Sequence, residues 1–198
     1  MRQIADESAR EGFFDYIEDP VSRKLMNALE RMMQKRFFDD ISVTDILKES
    51  GISRSTFYRR YRDKYDLLNQ NYQILLNHTL MQIPAGMSYK QSFYTLYNAL
   101  KSYPAFFKNA LSSREDDGLR SYIFKTCYQI FDELMRKQGL DMDSVYYRML
   151  LTGYLRGSLE ITCIWVEDGM KEPLDELFRI SYELMPHEIR TQLALSYM

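Results

Sequence analysis

The chain has 198 residues, 45% of them hydrophobic and 27% charged, with a formal net charge of −2. That composition is expected of a folded chain long enough to bury a real core, and it excludes a disordered or low-complexity one. No apolar run approaches the ~18 residues of a membrane span, and the acidic start "MRQIADESAREGFFDYIEDP" lacks a hydrophobic signal core. The two cysteines, Cys127 and Cys163, show no pair spacing and suit free thiols in a reducing cytoplasm, so a cytoplasmic protein is expected. The mild total charge hides an asymmetry. Residues 20–64 carry eleven Lys/Arg against six Asp/Glu, a net of +5, and the remainder carries −7. A basic segment on an acidic body points to an anionic partner for that segment.

In chain order the signals are helical, and no stretch reads convincingly as a strand. Asp19-Pro20 starts a helix, because proline tolerates the first turn where its missing N–H is not needed. Val21, Leu25, Leu29, Met32 and Met33 then recur at helical spacing up to "FFDD" at 37–40. Ser42 followed by Asp45 is a capping-box start, Gly51 closes that helix, and Ser53 caps a second short helix reaching Tyr61. A longer helix is predicted from Asp63 or Lys64 to about residue 82, before the break "IPAG". Further helices are predicted near 89–101, 104–111, 118–138, 143–168 and 173–185, with a short one after Pro186. The fold class is all-α. The expected division is an N-terminal extension (1–19), a helix-turn-helix domain (20–66) and a helical body (67–198).

Helix, glycine-bearing turn and short helix form the helix-turn-helix pattern. Val43, Ile46, Leu47, Ile52, Phe57 and Tyr61 supply an apolar set to pack on the helix from residue 20. Arg54, Ser55, Thr56, Tyr58, Arg59 and Arg60 then project elsewhere, early in the second helix. Recognition helices offer such positions to base edges, and hydroxyls and tyrosines hold phosphates. Arg54 suits guanine, whose N7 and O6 accept two parallel hydrogen bonds from a guanidinium. Thr44 and Lys64 begin helices where backbone N–H groups favour an anion. The competing reading of the segment is a solvated basic helix.

The stretch "SVTDILKESGISRSTFYRRYRDKYDLL", within a match of about 45 residues from Arg23 to Leu68, resembles the N-terminal domain of the tetracycline-repressor (TetR) family of bacterial regulators. Farther on, "WVEDGMKEPLDELFRI" is similar to a C-terminal subset that includes regulators linked to dihydroxyacetone metabolism. The resemblance implies a homodimer whose subunits each carry a DNA-binding head and a helical body for a small-molecule effector. It also implies that Thr44, Arg54, Ser55, Thr56, Tyr58, Arg59 and Lys64 touch double-stranded DNA. Repression is the default direction. The alternative is a co-activator or adaptor acting through a protein partner, as some relatives in the dihydroxyacetone subset do.

In the acidic body, "SVYYRMLLTGYLRGSLEITCIWVED" carries Arg148, Arg156 and Glu160 on one stripe through Thr152, with apolar residues around it. Either this is a central core helix, or it pairs with "PLDELFRISYELM" and their symmetry mates in a four-helix dimer interface. The interface candidates are Gly153, Gly157, Ile161, Trp165, Leu177, Phe178 and Leu184. Candidate effector-pocket walls are Tyr94, Tyr97, Phe107, Tyr122, Tyr128, Tyr147, Arg148 and Tyr154, each of which core packing also explains. The two histidines, His78 and His187, lie in no metal-ligand spacing, and no phosphate loop or nucleophile elbow is present. No metal, cofactor or catalytic residue is expected, and the chain does not read as an enzyme or a membrane protein.

Overall fold

The computed structural model describes residues 12–194, with side chains up to Thr191. Residues 1–11 of the expected extension lie outside the described residues. Helices follow one another in chain order, and no strand occurs among the described residues. They are α1 (Pro20–Met33), α2 (Val43–Ser50), α3 (Arg54–Tyr58), α4 (Lys64–Asn77), α5 (Tyr89–Lys101), α6 (Pro104–Ser112), α7 (Leu119–Lys137), α8 (Val145–Glu167), α9 (Leu174–Leu184) and α10 (His187–Ala194).

Two of the predicted helices end early. α3 stops at Tyr58 rather than Tyr61 because the Arg60 N–H bonds the Phe57 carbonyl three residues back, at 2.9 Å, and so tightens the chain out of the α-helical pattern. α4 stops at Asn77 and is followed by a 3-10 turn, Leu80–Ala85, that contains Pro84. Proline lacks an N–H and disfavours the α conformation at the residue before it, so Ile83 cannot continue an α-helix.

The chain divides into two compact units. The first takes the described residues up to Leu75 together with Asn98–Tyr122. Its N-terminal half is the three-helix head. Asp19 caps α1 by accepting the Ser22 N–H at 2.7 Å, and Leu25, Met26 and Leu29 of α1 are fully buried beside Ile46 of α2 and Phe57 of α3. Around this head the same unit holds an aromatic cluster. A 3-10 turn, Phe13–Tyr16, inserts Phe13 and Phe14 against α6, with ring centroids 5.2 Å apart for Phe13–Phe107 and 5.5 Å for Phe14–Phe106. Tyr72 of α4 closes the cluster, 6.4 Å from Phe13. Phe13, Phe14 and Ile17 of the expected extension are therefore core, the two phenylalanines held by ring contacts.

The second unit takes residues 76–97 and those from Ile123 onward. α8 is its long helix, burying Leu151, Tyr154, Leu155, Thr162, Cys163, Trp165 and Val166. Two hydroxyl pairs tie it to α5: Tyr97 with Thr162 at 2.7 Å and Tyr89 with Tyr154 at 3.2 Å. Phe93 stacks on Tyr97 at 4.0 Å, and the Trp165 indole N–H donates to the Glu172 carbonyl at 3.1 Å. Buried phenols paired in this way satisfy their polar ends inside an otherwise apolar core.

Candidate nucleic-acid interface

The turn between α2 and α3 is built from three residues. Gly51 takes φ 69°, ψ 14°, the left-handed conformation that ends α2. Ser50 Oγ accepts the Ile52 N–H at 3.3 Å, and Ser53 Oγ accepts the Thr56 N–H at 3.2 Å, which starts α3. Ser53 Oγ also lies 2.8 Å from Thr56 Oγ1 and 3.1 Å from Ser55 Oγ. α2 begins on a reciprocal capping box, with Ser42 N–H donating to Asp45 at 3.0 Å and Asp45 N–H to Ser42 Oγ at 3.1 Å. The N–H and hydroxyl of Ser42 hold the Asp45 carboxyl below the ordinary aspartate range.

α3 has one buried side. Phe57 is fully buried, Tyr61 follows it into the core, and the Tyr61 hydroxyl lies 2.6 Å from Ser22 Oγ of α1. The opposite side is open: Arg54, Ser55, Tyr58 and Arg59 are exposed, with Thr56 half-buried at the edge. The Arg54 guanidinium lies over the Tyr58 ring, 5.3 Å from its centroid. Neither Arg54 nor Arg59 pairs with a carboxylate among the described residues. Unpaired cations and hydroxyls on one face of a helix that is pinned from behind suit an anionic, hydrogen-bonding surface such as a DNA groove. Thr44 is exposed at the start of α2. Lys48, also exposed on α2, adds a cation that the sequence pattern did not single out; its only signal is its place on the first helix of the motif. Arg60 is tied down instead, 3.1 Å from Asp19.

Lys64 sits differently from the other six candidates. Its ammonium donates to the carbonyls of Phe38 (2.8 Å) and Asp39 (2.7 Å) and lies over the rings of Phe38 and Tyr65. Burial lowers its pKa. Burial and the neighbouring Asp39 push the Tyr65 phenol up to about 12. Lys64 is thus engaged inside the head in this structure.

The eight pocket candidates are divided between the two units. Phe107 is fully buried in the aromatic cluster of the first unit, and Tyr122, in the same unit, donates to Gln73 at 2.6 Å. In the second unit, Tyr97 and Tyr154 are buried through their hydroxyl pairs, and Tyr94 bonds Asp175. Tyr128 packs 6.1 Å from Phe124, Tyr147 lies beside Tyr146, and Arg148 is exposed. Among the interface candidates, Gly153 and Leu184 are exposed, Gly157, Ile161 and Phe178 are half-buried, and Trp165 and Leu177 face the interior of their own unit. An added Cβ at Gly153 or Gly157 would meet nothing within 4 Å. The exposed apolar residues of α8 that the sequence did not flag are Val145, Tyr146, Met149 and Ile164.

No group of three or more metal-ligating side chains occurs among the described residues, and no helix among them is long and apolar enough to cross a membrane.

Comparison with known proteins agrees with the geometry. Residues 25–70 match the family described as bacterial regulatory proteins, tetR family. Residues 88–187, half of the chain, match a family described as transcriptional regulator C-terminal region. A curated relative, the uncharacterized HTH-type transcriptional regulator YvdT of Bacillus subtilis (strain 168), is 30% identical over 77 residues. That match covers 39% of this chain and 40% of the relative, so the chain spans about two-fifths of the length of the curated protein it matches. Among solved structures, the dihydroxyacetone kinase operon activator DhaS shares the fold, with a TM-score of 0.57 at 16% identity over 89% of this chain and 97% of that one. With a helix-turn-helix head followed by a helical body, and with both stretches matched, the chain belongs to the TetR family of bacterial transcription regulators.

Proposed function

We propose that the protein is a cytoplasmic one-component repressor that binds a near-palindromic operator as a homodimer and responds to a small molecule. The observation that carries this reading is the open face of α3, where Arg54, Ser55, Tyr58 and Arg59 stand without carboxylate partners on a helix fixed by Phe57 and Tyr61. In this reading residues 20–66 read DNA, Thr44 and Thr56 adding hydroxyls, and residues 67–198 bind the effector and the second subunit. Two reading helices about 34 Å apart would meet successive major grooves of an inverted repeat. The effector acts by population shift: a molecule that fits one arrangement of the dimer better changes DNA affinity by that difference in fit. Tyr94, Tyr97, Tyr128, Tyr147, Arg148 and Tyr154 remain the candidate effector contacts in the second unit.

The test is selection of random duplex DNA by the purified protein, followed by reporter transcription from the enriched sequence. An enriched inverted repeat whose reporter is silenced supports the proposal. Enrichment with an activated reporter would reverse the direction of regulation. No enrichment, with a defined protein partner co-purifying, would favour an adaptor on the same fold.

A further inference from the structure

α1 ends without a glycine; the N–H groups of Gln34, Lys35 and Arg36 fold back on the Glu30 and Met32 carbonyls, and the Met33 carbonyl takes its donor from elsewhere. Asn109 of α6 provides it. Its amide donates to the carbonyls of Met33 (2.8 Å) and Arg36 (2.6 Å), and its Oδ1 accepts the Phe38 N–H at 2.7 Å. From α4, Lys64 takes the carbonyls of Phe38 and Asp39. The main chain of the α1–α2 turn is thus gripped by one side chain from each of two helices outside the three-helix head. The Phe38 ring is buried between these grips, edge-on to Tyr65 at 5.2 Å. Arg36 carries the connection forward, bonding the Asp40 carbonyl and reaching the Asp45 carboxylate of the α2 cap at 3.3 Å.

We propose that Asn109 is a positioning residue for DNA recognition. With its amide spent on three main-chain groups, it holds the turn from which α2, and through Gly51 α3, are presented to DNA. The proposal rests on the DNA-reading function given above. The site is half-buried, so water can replace the lost partners and truncation costs little global stability. The freed turn nevertheless spreads the orientations of α2 and α3, and binding must then order them again.

The test uses the full chain and a duplex selected by the wild-type protein, well below the thermal midpoint. Asn109→Ala is expected to weaken binding about ten-fold. The salt slope should not change, because no phosphate contact is removed. Amide exchange should quicken across residues 34–41 and not across α1. Lys64→Met keeps the aliphatic stem over Phe38 and removes the second grip. In the double variant the losses should be non-additive, because both side chains act on one turn. Asn109→Ser preserves more of the packing and reads the same quantities should the alanine variant fold poorly. If the wild type selects no duplex, the DNA-reading function falls and this proposal with it. If the wild type binds and the folded Asn109 variants bind equally well, only the positioning role falls.

Discussion

The Tyr61 phenol and the Ser22 hydroxyl, 2.6 Å apart and both buried, join the turn just beyond α3 to the first turn of α1. Ser22 Oγ also donates to Asp19 at 2.8 Å, so it keeps one partner if the phenol is removed. Tyr61→Phe should therefore cost only about 0.5–1.5 kcal/mol, the net worth of one neutral hydrogen bond. Ser22→Val leaves the phenol with only the Asn71 amide at 3.5 Å and takes the hydroxyl from Asp19, which keeps the backbone N–H of position 22. It removes two hydrogen bonds and should cost more. Urea denaturation of the three proteins checks the order, and a phenylalanine variant less stable than the valine variant would contradict it.

Arg54 is expected to carry sequence preference. Its guanidinium rests over the Tyr58 ring and is free of carboxylates, ready to present its two donors to a base edge. Arg54→Ala should relax preference at one base pair per half-site, a change of about 1–3 kcal/mol. Selection from random DNA by the variant measures this directly. Equal losses on operator and unrelated duplex would move Arg54 to the phosphate backbone instead.

What the sequence made legible was what is encoded locally. Asp19-Pro20, the Ser42/Asp45 box and Gly51 each act within four residues, so the helix starts and the turn could be read from the chain alone. Tertiary partners could not. Phe13 and Phe14 sit in an acidic stretch without helical periodicity, and their ring partners Phe106 and Phe107 come some ninety residues later. Asn109 in "FFKNAL" looks like any exposed helix polar group until the carbonyls of Met33 and Arg36 are found beside it. Phe107 illustrates the opposite difficulty: an aromatic at helical spacing serves a pocket wall and a core equally well, and here it is core.

Arg59 and Lys64 should separate in a salt titration. Arg59 is exposed and unpaired; under the proposed DNA-reading function it neutralises one phosphate, so Arg59→Ala should make log K against log salt shallower by about 0.9. Lys64 spends its ammonium on the Phe38 and Asp39 carbonyls. Lys64→Met should lower affinity and thermal midpoint while leaving the slope as it was. A shallower slope for Lys64→Met would show that the ammonium leaves those carbonyls for DNA.

Acid should weaken the head through its two caps. Asp45 is held below the ordinary aspartate value of 3.8 by the Ser42 N–H and hydroxyl, and Asp19 by the N–H and hydroxyl of Ser22 with Arg60 nearby. A depressed folded-state value means that these carboxylates bind a proton more readily once unfolded. Their contribution is full above the unfolded value and is lost as the pH falls through the folded one. The thermal midpoint should therefore drop between about pH 5 and pH 3, and the variant Asp19→Asn/Asp45→Asn should show a shallower drop. Asp66, Asp143 and Glu176 are also depressed and account for acid dependence that remains. Superimposable acid limbs would remove the caps from the explanation.

The outer side of α8 and the end of α9 should be where two copies meet. Met149 is 69% exposed, Ile164 51% and Leu184 51%, large apolar side chains that a single copy leaves in water. Gly153 and Gly157 lie between the first two along α8 with open space over their Cα atoms, so a second helix can approach closely there. A two-fold pairing makes each contact twice, and one substitution therefore places two charges in the interface. Ile164→Glu should shift the protein from dimer to monomer in sedimentation velocity without loss of helical circular dichroism. It should also weaken operator binding, because the two heads no longer arrive together. Trp165, one residue on, points into the core, so Trp165→Ala should instead unfold the second unit, at a cost of about 3–5 kcal/mol. An Ile164→Glu protein that remains dimeric would place the subunit contact on another face.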